Sequence, residues 1–347
     1  MRALVLHAPD DFSIEDVPRP EPGPYEVLCR VRAVAMCGTD PHIIGGDFPG
    51  FWPKEFPFIP GHEWCGEVVE LGPGAADLGF EKGARVAGTS HAGCGFCRLC
   101  VEGRYNVCEN YGDERLHRQY GHYTQGVYAG YAVHSIKSVF RVPDALSDEE
   151  AAMLDPAAIA LHTAKRAAFS PGDSVVVVGP GVMGLLAADC ARILGAARVL
   201  VVGRGQRLAR AAELGHEPVD FTAEDPVEAV RGRTDGRGAD AVLECSGSAA
   251  AVGQSLEMLR RGGRVAVVGI PLEDARIPVK QLVMDELDLV GVRAAAGEMP
   301  EAIALAAAGR LRLGELVTHR FALEDFAEAY RVFTERVDGA LKVIVRP

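Results

Sequence analysis

Residues 174–185, SVVVVGPGVMGL, set the tightest limit on what this chain can become. Gly179, Gly181 and Gly184 stand in the spacing G-x-G-x-x-G, after a run of valines and before an Ala/Leu-rich stretch of helical character. A strand that turns through glycines into a helix leaves the first helical N–H groups free and lets the backbone approach a pyrophosphate. The bare spacing is weak; its place between strand and helix gives it meaning. On this reading Gly179, Gly181, Val182, Met183 and Gly184 hold a dinucleotide. A glycine-rich turn that binds nothing is the bland alternative.

The residues that follow repeat the alternation. VMGLLAADCARILG reads as a helix ending at Gly195, ARVLVVG as a strand, RLARAAELG as a helix and ADAVLECSG as a strand. AVGQSLEMLRRGG then reads as a helix, RVAVVGIP as a strand and LDLVGVRA as the last strand. Short, continuously apolar strands between helices predict a parallel sheet covered on both faces. An NAD site places an acid about twenty residues past the glycines, to accept from the ribose 2′-OH. Here Gly203 and Arg204 stand in that place, with Arg207 close by. A 2′-phosphate then meets no repulsion and can bond a guanidinium, which favours NADP(H) over NAD(H). A solvated loop arginine is the competing explanation.

The first 150 residues have another character. RALVLH, EVLCRVRAVA, EWCGEVVELG, ARVAGT and YAGYAVHSIKSVFRVP are short β-like runs between turn residues, which predicts a compact β-rich domain. SDEEAAMLDPAAIALHTAKRAAF reads as one helix with Ser147 as its N-cap. The tail from His319 reads as helix then strand, folding back onto the first domain. A chain of 347 residues is long enough for two such domains.

Charge and composition exclude several partners. A net charge of −12 without a clustered basic surface argues against nucleic acid. No stretch approaches the apolar length that spans a membrane, and the N-terminus lacks the pattern of a secretory signal. The expected location is therefore the reducing cytoplasm, where clustered cysteines more often bind metal than pair as disulfides. Cys94, Cys97, Cys100 and Cys108 form a C-x2-C-x2-C-x7-C array suited to tetrahedral zinc. An iron–sulfur cluster could use similar ligands, and disulfides remain open for an exported chain.

A second cluster opens with AMCGTDPH, residues 35–42. Cys37, His62 and a carboxylate from another segment would make a zinc site of mixed N, S and O donors with one position open. Zinc so held polarises an alcohol oxygen and lowers its pKa.

With CGTDPH, GHEWCGEV, the four-cysteine lobe, GPGVMG and GGRVAVVG in this order, the chain resembles the zinc-dependent medium-chain dehydrogenases/reductases. The branch is that of polyol, threonine and secondary-alcohol dehydrogenases, and the resemblance runs from the first strand to the last residues. It implies an α/β protein: a GroES-like β-rich catalytic domain at 1–150, completed by 295–347, with a structural zinc lobe at 90–112. The Rossmann domain, a doubly wound parallel sheet, takes 151–294, and the active site lies in the cleft. Cys37 and His62 match the catalytic zinc ligands. Glu63 matches a carboxylate that in some members binds zinc directly or through water and in others swings, and Asp155 falls where members carry Cys, Glu or Asp as another ligand.

The resemblance also assigns roles around the metal. Thr39 bonds the substrate oxygen, Asp40 orients a zinc histidine, and His42 completes a proton relay that runs from Thr39 through the cofactor ribose. His162 and Thr163 face the nicotinamide. The implied reaction is reversible oxidation of a secondary alcohol (a polyol, cyclitol or similar) to the ketone, with hydride passing to NAD(P). One catalytic and one structural zinc are expected, in a homodimer or homotetramer whose other partner is the small alcohol or ketone. Threonine-type amino-alcohol oxidation uses the same scaffold. A zinc-free enone reductase conflicts with the ligand set, and a non-catalytic NADP(H)-sensing protein is the alternative of another class. Phe48, Phe51 and Trp52 either wall the substrate pocket or cover the core under a loop.

Overall fold

The computed structural model describes residues 1–347, which divide into two compact units. The first comprises 1–155 and 295–347, the second 156–294.

In the first unit, strands β1 (Arg2–Ala8) and β2 (Asp11–Asp16) form an antiparallel hairpin. β3 (Glu26–Ala35), β4 (Glu63–Leu71) and β5 (Arg85–Gly88) follow in a larger sheet, and β6 (His91–Ala92) pairs with β7 (Arg118–Gln119) beside it. β8 (Tyr131–Ser135) and β9 (Val139–Arg141) return to the large sheet, separated by the short 3-10 turn Ile136–Ser138. Its inner faces enclose an apolar core around Val27, Val34, Trp64, Val68, Tyr128 and Phe326.

The second unit contains β10 (Ser174–Val178), β11 (Arg198–Gly203), β12 (Glu217–Asp220), β13 (Ala239–Glu244), β14 (Leu259–Val267) and β15 (Asp288–Gly291). All pair in parallel in the order β12-β11-β10-β13-β14-β15. The order reverses between β10 and β13, the switch point at which doubly wound sheets bind ligands beyond their strand ends. Valines 175–177 are fully buried, as a central strand covered on both faces requires. Two further strands belong to the first unit: β16 (Val317–Ala322) and β17 (Lys342–Arg346), which complete its sheet in the order β16-β17-β3-β4-β5-β9.

Two local expectations are corrected. The helix expected from Ser147 is two, Asp148–Ala152 and Leu154–Arg166, broken at Met153. Pro156 explains the break, because its ring crowds the carbonyl four residues back and it has no N–H to bond there. Ser147 does cap the first helix, in a reciprocal box with Glu150. The second correction concerns LRRGG, expected as helix. The helix ends at Glu257, and these residues enter β14 through a bulge between the pairs Ala239–Leu259 and Ala241–Arg264. Gly262, at φ +70°, supplies the backbone that the bulge needs.

Candidate active site

Three strand ends build the candidate metal-ligand set of the first unit. Ala35, the last residue of β3, pairs with Glu63, the first of β4, so Cys37 just after one strand meets His62 just before the other. β17 pairs with the same end of β3 and brings Lys342 beside them. A sulfur, a ring nitrogen and a carboxylate oxygen of Cys37, His62 and Glu63 all lie within 4.8 Å of one another.

The surroundings of these donors are as informative as the donors. Asp40 is fully buried, and its Oδ2 accepts the backbone N–H of Cys37 at 2.8 Å and the hydroxyl of Tyr128 at 2.7 Å. Its Oδ1 faces His62 Nδ1 at 3.8 Å, and neither atom has a hydrogen bond. A small rotation of the imidazole would join them, fix Nδ1 as the protonated nitrogen and leave Nε2 for a metal. Gly61, at φ +90°, makes room for this arrangement, since a Cβ there would stand 2.6 Å from the Tyr128 ring. Thr39 donates its hydroxyl to Cys37 Sγ at 3.3 Å. His42 lies in the short helix Asp40–Ile44, on the half-exposed side, with Nδ1 2.6 Å from Asp47.

Glu63 is held by Lys342, whose ammonium donates to Oε2 at 2.6 Å and to the Met36 carbonyl at 2.9 Å. Burial opposes charge on Lys342, but Glu63 and the nearby Cys37 hold its pKa above the ordinary lysine value. Asp155 is buried and stands outside the mutual cluster of Cys37, His62 and Glu63. Its Oδ2 has no hydrogen-bond partner, and burial followed by the charge of Glu63 pushes its carboxyl well above the usual range. Burial, then Glu63 and Asp40, likewise push the Cys37 thiol up. A thiol and acids raised in this way are groups that a divalent cation would return to their charged forms. Together with the orphaned Oδ2 of Asp155, they fit a zinc ion. Tyr128 and Lys342 carry no signal of their own in the sequence.

The four-cysteine lobe is a separate centre. Its sulfurs lie within 4.8 Å of one another, with Cys94–Cys100 and Cys97–Cys108 both at 3.8 Å. Zn–S bonds of about 2.3 Å in a tetrahedron place sulfurs about 3.8 Å apart, so the cage has the size of one ion. The Cys97 N–H and the Asn110 amide donate to Cys94 Sγ at 3.3 Å each. Burial works against the thiolate, yet these donors and the Phe96 N–H bring Cys94 down to about 6.

In the second unit the glycine turn follows β10 directly. Gly179 is at φ +99°, and a Cβ there would meet Ser246 at 2.8 Å, while one on Gly184 would strike the Gly179 carbonyl. A Cβ on Gly181 would meet nothing within 4 Å, so that side is open to a ligand. Gly181 is the N-cap of the helix Val182–Ile193, whose first turn holds Val182 and Met183 and no acid. Free N–H groups there suit a pyrophosphate. Glu244, at the end of β13, accepts the Ser246 N–H at 2.8 Å and fixes the turn that packs on Gly179.

Gly203 has a steric cause: a Cβ would lie 2.3 Å from the Pro180 ring, so a side chain there would force the turn to shift. The Arg204 guanidinium stands 5.6 Å over the Phe221 ring, and Arg207 lies half-buried in the helix Gly205–Glu213. Thr163 is buried with its hydroxyl donating to Ile159 O at 2.8 Å, and His162 is half-buried beside it.

Comparison with known proteins agrees with this anatomy. The alcohol dehydrogenase GroES-like domain matches residues 23–144, and the zinc-binding dehydrogenase domain matches 182–308. A sorbitol dehydrogenase of Halalkalibacterium halodurans is 34% identical, the match covering 100% of this chain and 99% of that one. An L-threonine 3-dehydrogenase of Photorhabdus laumondii is 35% identical over 99% of each chain. A Sinorhizobium meliloti protein solved bound to NADP superposes with a TM-score of 0.90 at 32% identity, covering 100% of this chain and 99% of that one. The chain belongs to the zinc-binding medium-chain dehydrogenases, the alcohol dehydrogenase family with a GroES-like domain and a Rossmann-like parallel sheet.

Proposed function

We propose that this enzyme oxidises a secondary alcohol to its ketone, reversibly, with hydride passing from the carbinol carbon to a nicotinamide and the hydroxyl proton to solvent. The observation that carries the reading is the convergence of Cys37, His62 and Glu63 donor atoms within 4.8 Å, beside the Thr39 hydroxyl. Cys37 and His62, with Asp155 or Glu63, would hold a catalytic zinc, and Cys94, Cys97, Cys100 and Cys108 a structural one. The catalytic zinc supplies a Lewis acid that acidifies the alcohol. Thr39 holds the substrate oxygen and relays its proton onward, and half-exposed His42, with Nδ1 2.6 Å from Asp47, is the group that receives a proton and releases it to water. Asp40, whose Oδ1 faces His62 Nδ1 at 3.8 Å, would keep His62 in one tautomer once the ring turns to bond it.

NADP is the favoured cofactor. Support comes from Arg204 following β11 where an NAD site keeps its acid, from the crowding a side chain at position 203 would meet at Pro180, and from the Sinorhizobium relative solved bound to NADP. Nine cysteines, all free, accord with the reducing cytoplasm. β15 is an edge strand, and near it Ile270, Leu272, Val279, Val283 and Met284 are exposed, which favours a homodimer or homotetramer. Threonine-type oxidation is the second reading, supported by the relative of that name.

The test is absorbance of the reduced nicotinamide with zinc-loaded protein, secondary alcohols, polyols, cyclitols and L-threonine, each with NADP⁺ and NAD⁺. Turnover with NADP⁺ well above NAD⁺ is expected. Turnover with NAD⁺ alone would overturn the cofactor assignment. Cofactor binding without turnover of any alcohol would favour a sensing role.

A further inference from the structure

The first unit contains a cavity of about 370 Å³ that none of Cys37, Thr39, His42, His62, Glu63 or Asp155 lines. Val5 of β1, Val17 just after β2, Phe58 and Ile59 ahead of β4, and Ala132 of β8 give it apolar walls. Backbone bonds hold these walls in place. Leu6 and Phe58 exchange both N–H···O bonds, at 2.7 and 2.9 Å, and Gly130, ahead of β8, donates to the Arg2 carbonyl at 3.0 Å. The cavity therefore belongs to the fold and does not wait on side-chain rearrangement.

Three of its polar side chains are already committed. The Tyr120 hydroxyl accepts the Ser135 N–H at 2.7 Å, and Glu26 Oε2 accepts the Gly23 N–H at 2.9 Å. Gln125 accepts the Ile59 N–H at 2.7 Å and donates to the Pro57 carbonyl at 3.3 Å. Two others are not. Arg118 is half-buried with no ion pair and no side-chain hydrogen bond. The Thr124 Oγ1 is buried, also without a partner. Arg118 and Tyr120 stand two apart on an extended stretch and so share the face toward the cavity. A guanidinium and a hydroxyl withdrawn from water without partners cost free energy that a suitable ligand would return.

We propose that this cavity is a second ligand site, and that its ligand is a small monocarboxylate with an apolar body, such as an aryl or branched-chain acid. The walls draw the body out of water. Arg118 takes the carboxylate in its fork, and Thr124 donates its hydroxyl to the same group. A neutral apolar molecule would leave Arg118 unpaired. A dianion would meet the Glu26 carboxylate, which also lines the cavity, so one negative charge is the fitting number. The volume lies at the lower end of the range for small-molecule sites, and apolar walls with a few convergent polar groups are their usual make-up.

The experiment is calorimetric titration of 3-phenylpropionate into the zinc-loaded full chain, against 3-phenylpropanol and succinate. The monocarboxylate should bind once per chain and at least about ten-fold more tightly than either, the value of one charge-assisted bond. Arg118→Gln should remove that preference, and Thr124→Val, which keeps the volume, should lower it several-fold on its own; circular dichroism melts check that both fold. Cys37→Ala should leave the affinity unchanged. Equal binding of acid and alcohol, or acid binding that survives both Arg118→Gln and Thr124→Val, overturns the proposal. Loss of binding in Cys37→Ala overturns it too, by placing the acid on the catalytic metal. No binding of any of the three compounds has the same force, and a smaller assembly of Arg118→Gln by light scattering would then give the cavity to a second copy of this chain.

Discussion

Tyr128 shows how far a single hydroxyl reaches. It donates to Asp40 Oδ2 at 2.7 Å, and the other oxygen of the same carboxylate faces His62. Partners at this remove from a metal typically matter 10–100-fold for its affinity. Tyr128→Phe should therefore weaken zinc at the Cys37/His62 centre about 10-fold while sparing the four-cysteine lobe. Competition against a chromophoric chelator, resolving two binding steps, reads both centres; equal weakening of both would point to general destabilisation instead. Arg204 allows a test of the same kind in the other unit. Arg204→Ala should lower kcat/KM for NADP⁺ at least about ten-fold, the value of one charge-assisted bond, and leave NAD⁺ within about two-fold. A parallel loss with both cofactors would contradict a 2′-phosphate role. Glu63 and Lys342 illustrate the opposite limit of sequence reading, since their 2.6 Å ion pair joins residues 279 positions apart.

At the scale of elements, β8 carries a buried group that the catalytic reading does not use. His134 lies between the rings of Trp64 and Tyr120, at 4.5 Å and 4.0 Å, with neither ring nitrogen hydrogen-bonded. Burial alone brings its pKa down to about 3. The folded protein thus keeps His134 neutral where the unfolded chain, near 6.5, takes up a proton. Stability is unaffected by this group above about pH 6.5 and falls as pH drops from there toward about 3, by about 1.4 kcal/mol at pH 5.5. His134→Phe should remove that decline, read as a flatter urea midpoint between pH 7.5 and 5.5; an unchanged slope would show that other groups set it. The elements themselves were legible where period and punctuation agreed. The valine strand, the glycine turn and the helix after it carry their signals within a dozen residues. The break at Met153 was hidden because Ala and Leu content outweighed Pro156, and LRRGG passed for helix because strand pairing with Ala239 is long-range information. Cys37 and His62 could be marked because each flanks a strand-like run, whereas Tyr128 lies 88 residues from Asp40 and only the folded sheet joins them.

At the scale of the whole chain, each unit brings one half of a hydride-transfer system. The first gathers two cysteine-containing donor sets, one closed and one with unsatisfied atoms around it. The second presents a glycine turn and an open helix N-terminus at the switch point of a parallel sheet. No helix is long and apolar enough to cross a membrane. The central claim is that the Cys37/His62 centre, and not the four-cysteine lobe, supports the chemistry. The most direct measurement is zinc per chain by plasma emission, together with alcohol-dependent reduction of NADP⁺, in the natural protein and in Cys37→Ala. The account predicts two zinc ions and turnover in the natural protein, and one zinc with turnover lower by about a thousand-fold or more in the variant. Undiminished turnover by a Cys37→Ala protein that has lost one zinc would contradict it.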